Sequence, residues 1–87
     1  MDESQPAAWH VYILRCADQT LYTGIAIDLD ARVRIHNAGK GAKYTRGRLP
    51  VTLIYQEQMK NHGAALKREY AIKRLPLAAK RRLVAQC

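Results

Sequence analysis

Three ionisable residues occupy helix faces that should be apolar. In LDARVRIHN, Leu29, Arg32, Val33 and His36 fall within an arc of about 100° on a helical wheel. Leu29 and Val33 form the buried seam, so a guanidinium and an imidazole lie at or beside it, one turn apart. Further along, Glu69 shares a face with Ala65, Ile72 and, more obliquely, Leu66. An ionised carboxylate there is costly to bury unless it is paired, hydrogen-bonded or bound to a metal. Each residue also has a plainer reading. Arg32 can pack its stem and keep its head in water. His36 can be a hydrogen-bonded edge residue, and Glu69 can pair with Lys73 one turn on, for a few tenths of a kcal/mol. Two separate helices that both turn polar groups inward favour a shared site.

The elements that must position these groups are short. HVYILRC, His10 to Cys16, has the β-branched and aromatic content of a strand, and LYTGIAI resumes as a second after the turn ADQT. An odd number of loop residues would place Tyr12 and Tyr22 on one face of this hairpin, an even number on opposite faces. Asp28 is an N-cap for a helix starting at Leu29, with Asp30 at its positive end. Asn37-Ala38-Gly39 ends that helix, Gly39 serving as C′. GKGAKYTRGRLP, with three glycines and four basic residues, reads as a basic loop. VTLIYQ, Val51 to Gln56, is a third strand. A helix opens at Asn61 or His62 and runs to about Leu75, and Pro76 starts a last helix ending near Ala85. The order β-β-α-β-α-α predicts an α+β domain, one small sheet flanked by helices.

Composition narrows the class of partner. The chain has 87 residues, 48% of them hydrophobic, enough for one domain with a modest core. Residues 1–8 read as a flexible tail and 9–87 as a single domain. No apolar run approaches the roughly 18 residues of a membrane span, and MDESQPAAW lacks the apolar core of a secretory signal. Cys16 and Cys87 have no metal-type spacing and read as reduced thiols of a cytoplasmic protein. Lys and Arg number 15 against 7 acids, a net charge of +8 with a pI near 9.9. Between Ala31 and Arg48 there is no acid at all, and from Lys67 to Arg82 there is only Glu69. Such clustering favours a polyanion, most often nucleic acid.

Tyr12 within HVYIL, Tyr22-Thr23-Gly24 ten residues later, Arg32 and His36 on the next helix, and Glu69 form an ordered set. That set resembles the GIY-YIG nuclease superfamily from about Trp9 to Leu75, and in shape the small single-domain bacterial GIY-YIG proteins of uncharacterised role. GKGAKYTRGRLPVTLIY also resembles the nuclease domain of structure-specific, junction-resolving endonucleases. The resemblance implies a three-stranded antiparallel sheet and a metal-dependent endonuclease acting on DNA, with branched or damaged DNA in repair or recombination as candidate substrates. Glu69 would hold one divalent ion, Mg²⁺ or Mn²⁺, an oxygen ligand suiting such a hard cation. Tyr22, assisted by Tyr12, would orient or deprotonate the attacking water. Arg32 would neutralise charge on the phosphate, and His36 would contact the phosphate or move a proton. Gly24 is structural in this pattern.

These roles agree with the chemistry. Phosphodiester cleavage needs an aligned nucleophile, charge neutralisation and help for the departing oxygen. A tyrosine of pKa about 10 is a poor base unless a cation stabilises its phenolate, and an arginine fork grips two phosphate oxygens at once. Lys40, Lys43, Arg46 and Arg48 would hold the nucleic-acid backbone, and Tyr44 would stack on an unpaired base or pack over the sheet. Gly39, Gly41 and Gly47 permit close backbone approach. Two departures stand out: Ile25 follows Gly24 where several relatives carry a polar or basic residue, and no polar residue matches the one many members carry after the metal-binding Glu. A catalytically weak nucleic-acid-binding module with the same fold is therefore the alternative, and a basic domain docking on an acidic protein or ribosomal RNA is the third reading. Most characterised members also carry a separate DNA-binding or partner-binding domain, which leaves room for a protein partner that supplies targeting.

Overall fold

A central strand buried on both sides organises the molecule. The computed structural model describes residues 8–86, so the expected tail over residues 1–8 falls outside it except for Ala8, as does Cys87. Strand β1 (Trp9–Arg15) lies between β2 (Leu21–Ala26) and β3 (Thr52–Met59) in an antiparallel sheet of order β2-β1-β3. Val11, Tyr12, Ile13 and Leu14 are all at most 2% exposed, although successive side chains point to opposite faces. Helix α1 (Leu29–Asn37) covers one face, where Tyr12, Leu14 and Ala26 pack with Leu29, Val33 and Val51. Helices α3 (His62–Lys73) and α4 (Leu77–Ala85) cover the other, where Val11, Ile13 and Tyr55 meet Ala65, Ile72 and Leu83. The fold is α+β, a three-stranded antiparallel sheet flanked by helices.

Local signals account for most boundaries. The Asp28 carboxylate accepts from the Ala31 amide at 3.0 Å, and Asn61 caps α3 by accepting from the Ala64 amide at 2.8 Å. Gly39, with φ of 78°, ends α1 in the left-handed region that glycine enters without a Cβ penalty. Between Arg15 and its partner Leu21 lie the five residues Cys16 to Thr20, an odd count. Tyr12 therefore pairs with Gly24 and Leu14 with Tyr22, and the two tyrosines share the α1 face.

In two places tertiary contacts overrode the local pattern. Strand β3 runs three residues past Gln56, because Glu57 and Met59 pair with Val11 and Trp9. Glu57 is kept there by a two-point ion pair with Arg68 of α3 and a hydrogen bond from the Tyr55 hydroxyl. The second correction concerns the basic loop, which contains a helical turn, α2 (Lys43–Arg46). Both the amide and the hydroxyl of Thr45 donate to the Ala42 carbonyl, and Thr45 is fully buried. The segment wraps a buried side chain instead of crossing open surface, which its glycines and charges do not reveal.

One side chain joins α1 to the residue that precedes β3. Asn37 donates from Nδ2 to the Val51 carbonyl at 3.1 Å and accepts the Val51 amide at Oδ1 at 2.7 Å. Val51 is 4% exposed, so water cannot readily replace either bond. Asn37→Ala should cost about 2 kcal/mol and lower the melting temperature by roughly 8–16 °C in thermal denaturation followed by circular dichroism.

Candidate functional site

The ordered residues meet at the edge of the sheet. A cleft of about 440 Å³ is lined by Tyr12 and Tyr22 from the strands, Arg32 and His36 from α1, Lys40 to Ala42 beyond it, and Glu69 from α3. Glu69 starts from the opposite layer, since its neighbours Ala65 and Ile72 are fully buried on the far face. It reaches the cleft because β2 is an edge strand, so no further strand separates the layers there. Gly24 explains how Tyr12 arrives. A Cβ on Gly24 would stand 2.6 Å from the Tyr12 hydroxyl and 2.7 Å from Cζ, so the ring lies across a backbone stripped of its side chain.

The hydrogen bonds on His36 define its tautomer. Thr45 donates its hydroxyl proton to the Ala42 carbonyl at 2.9 Å, so its oxygen faces His36 Nδ1, also at 2.9 Å, as an acceptor. Nδ1 therefore carries the imidazole proton and Nε2 is left as an acceptor. The Tyr12 hydroxyl, 3.0 Å from Nε2, is its donor. The chain runs from Tyr12 through His36 and Thr45 to the backbone, and each member is at most 2% exposed.

Electrostatics reinforce this assignment. Burial lowers the His36 pKa below the ordinary imidazole value, and the Arg32 guanidinium lowers it further, so the ring is neutral at physiological pH. Burial, and secondarily Tyr22, push the Tyr12 hydroxyl well above the ordinary phenol range. Arg32 opposes that rise and Glu69 adds to it. The ring of Tyr22 meets His36 edge-on, with centroids 5.3 Å apart.

The remaining expected residues divide. Arg32 is exposed at the cleft margin, while His36 fills the seam position, 1% exposed. Lys40 lines the cleft. Lys43, Tyr44, Arg46 and Arg48 belong to α2 and its C-terminal flank, outside the cleft lining. Tyr44 stacks near Tyr22, with centroids 6.1 Å apart. Arg48 lies 4.0 Å over the Tyr44 ring and bonds Asp18, and Arg46 Nε donates to the Gly41 carbonyl. The anticipated pair of Glu69 with Lys73 does form, at 3.2 Å, and the carboxylate faces the cleft nonetheless.

One residue of this site escapes sequence reasoning: Thr45 sits nine positions after His36 in a segment without periodicity. Gly41 is one of the three loop glycines expected to permit close approach, and here the close neighbour is His36. Its missing side chain accommodates the imidazole, because a Cβ there would overlap Nδ1 and lie 2.8 Å from Cγ of His36. Of the loop glycines, Gly47 has nothing within 4 Å of such a Cβ. Thr45→Val should strand the Nδ1 proton, lower stability by about 1–3 kcal/mol and populate the other tautomer in ¹⁵N NMR spectra of His36, with Thr45→Ser restoring the native pattern. Gly24→Ala should cost a further roughly 1–3 kcal/mol by overpacking and move the Tyr12 ring resonances.

Comparison with known proteins identifies the family. A family profile described as the GIY-YIG catalytic domain matches residues 8–82. The chain is 54% identical over 76 residues to a UPF0213 protein of Natronomonas pharaonis, covering 87% of this chain and 89% of that one. It is 52% identical over 83 residues to a UPF0213 protein of Desulfotalea psychrophila, covering 94% and 76%. Among solved structures, the solution NMR structure of a UPF0213 protein from Bacillus halodurans superposes with a TM-score of 0.60 at 42% identity, covering 91% of this chain and 84% of that one. An E. faecalis protein, also solved by NMR, gives 0.63 at 32% identity, covering 99% and 90%. The chain belongs to the GIY-YIG catalytic domain family, a family of nuclease type.

Proposed function

We propose that the protein is a metal-dependent endonuclease that hydrolyses phosphodiester bonds in DNA, with branched or damaged DNA as its substrates. The observation that carries this reading is the convergence of the Tyr12–His36 hydrogen bond, Arg32 and Glu69 on one cleft. Among the described residues no group of three or more histidines, cysteines and acids could enclose a metal. One carboxylate suits a hard ion that keeps most of its waters and shares the substrate phosphate, as Mg²⁺ and Mn²⁺ do. Glu69 lines the cleft while its Oε2 pairs with the Lys73 ammonium at 3.2 Å, so a divalent ion would share this carboxylate with Lys73. When held by Glu69, such an ion supplies positive charge to the phosphate and acidifies water in its shell.

The chain's own residues do the rest. The Tyr12 oxygen, its proton directed to His36 Nε2, keeps a lone pair for the attacking water. As that water bonds to phosphorus and loses a proton to the Tyr12 oxygen, the Tyr12 proton passes to Nε2. The P–O bond to the departing oxygen breaks and that oxygen takes a proton from solvent, and His36 leaves the step as imidazolium with Nδ1–H still held by Thr45. Because burial disfavours a standing phenolate at Tyr12, the two transfers are concerted. The hydrogen bonding thus favours Tyr12 over Tyr22 as the proton acceptor, and Tyr22 orients the water. Arg32, exposed at the margin, grips two phosphate oxygens, and Lys40 steadies the backbone beside them.

Ile25 among the cleft residues supports the second reading, a binding module with weakened chemistry. Purified protein should nick branched, single-stranded or plasmid DNA when Mn²⁺ is added. Glu69→Gln and Arg32→Ala should each reduce the rate by about a hundredfold or more with little change in melting temperature. Indistinguishable traces for wild type and Glu69→Gln on every substrate would leave only salt-dependent binding. The acid limb of kcat/KM should fall below the ordinary imidazole value of about 6.5. His36 must be neutral to accept the proton, and its pKa is lowered, so activity is retained at pH 6.5 and lost only as pH falls further.

A further inference from the structure

Across Tyr22 from the cleft lies a second groove, of about 390 Å³, lined by Leu21, Tyr22, Thr23, Tyr44, Lys73 and Lys80. We infer that it is a subsite for an unpaired nucleotide next to the scissile bond, taking that nucleotide's phosphate between Lys73 and Lys80 and its base against Tyr44. The inference rests on the nuclease reading of the adjoining cleft and adds the substrate feature which that cleft cannot specify.

Three observations carry it. The groove adjoins the cleft, since Tyr22 lines both. A strand whose phosphate sits against Arg32 would therefore run past Tyr22 into it. The charged residues of its lining are both lysines, Lys73 of α3, which is paired with Glu69, and Lys80 of α4. Lys73 Nζ lies 3.2 Å from Glu69 Oε2 and 6.0 Å from the Tyr22 ring centre, so this one ammonium stands at the junction of the two sites. The third observation is an aromatic wall built before any ligand arrives. Tyr22 and Tyr44 are within 24° of parallel, and Tyr44 is 39% exposed. Arg48 holds Tyr44 in place by lying over its ring, donating to its carbonyl at 2.7 Å and anchoring on Asp18.

A cationic groove with exposed aromatic rings is how proteins hold single strands, since each base offers a π-face whatever its sequence. Bases within a duplex are stacked on one another and cannot offer that face, so the groove selects a nucleotide that is unpaired or can be splayed out. This also gives α4 a role: Leu83 and Val84 anchor it to the sheet while Lys80 lines the groove.

The test is fluorescence anisotropy in EDTA, with a labelled blunt duplex and the same duplex carrying a short single-stranded flap. Wild type should bind the flapped duplex more tightly. Tyr44→Leu should weaken flap binding roughly tenfold and blunt binding little, while Tyr44→Phe keeps the preference. Lys80→Ala should weaken flap binding and reduce the salt slope by about 0.7, as expected for one lost phosphate contact on a single strand, and Lys80→Arg should restore it. Equal losses on both probes, or none for Tyr44→Leu and Lys80→Ala, would overturn the subsite even if Glu69-dependent cleavage is observed. A flap preference that needs Tyr44 and Lys80 would uphold it even if no cleavage is found.

Discussion

The site depends on one buried hydrogen bond, from the Tyr12 hydroxyl to His36 Nε2. Tyr12 belongs to the central strand and His36 to the helix above it, so the bond links the sheet to the α1 layer at the point where the cleft opens. Its direction is dictated from behind, because Thr45 spends its own proton on the Ala42 backbone and accepts that of His36. Burial makes charging costly for both members: the imidazole stays neutral and the phenol stays protonated. The pair is thus set as donor and acceptor before any ligand arrives, and a proton can move along it without a free phenolate forming.

Space for the pair comes from two glycines. Gly24 lets the Tyr12 ring cross the edge strand, and Gly41 lets the backbone after α1 close over the imidazole. Neither has the positive φ that usually explains a required glycine; both are small because an aromatic ring occupies the room. The same edge strand allows a residue from the opposite layer to take part. Glu69 lies on the helix that packs Ala65 and Ile72 beneath the sheet, yet its carboxylate lines a cleft built from the other side. In a wider sheet an added strand would intervene.

The positive charge of the chain is organised by these contacts. Arg48 is tied to Asp18 and to the carbonyl of Tyr44, and acts on its surroundings by fixing a ring. Arg68 is committed to Glu57. Arg32 and Lys40 face the cleft, and Lys73 and Lys80 the groove beside it. A basic stretch that reads as one uniform patch thus separates into structural cations and cations that border open, ligand-sized space.

Local chemistry made much of this protein legible. Asp28, Asn61 and Gly39 announce helix ends through capping and a left-handed turn, and β-branched and aromatic content marks the strands. The wheel positions of Arg32, His36 and Glu69 already conflict with an ordinary apolar seam. Such signals lie within a few residues of one another, which is why a sequence carries them. The hairpin register was readable only as a choice of parity, which the five-residue loop decided. Thr45, Gly41, the helical turn around them and the extra length of β3 were decided in three dimensions. Each answers to a partner at least several residues away, such as His36 for Thr45 and Val11 for Glu57, and local pattern does not encode such pairings. The sequence by itself determined which elements form and which polar groups turn inward; only the packed structure decided the tautomer of His36 and the meeting of Glu69 with Tyr12, because both depend on two layers closing around one sheet edge.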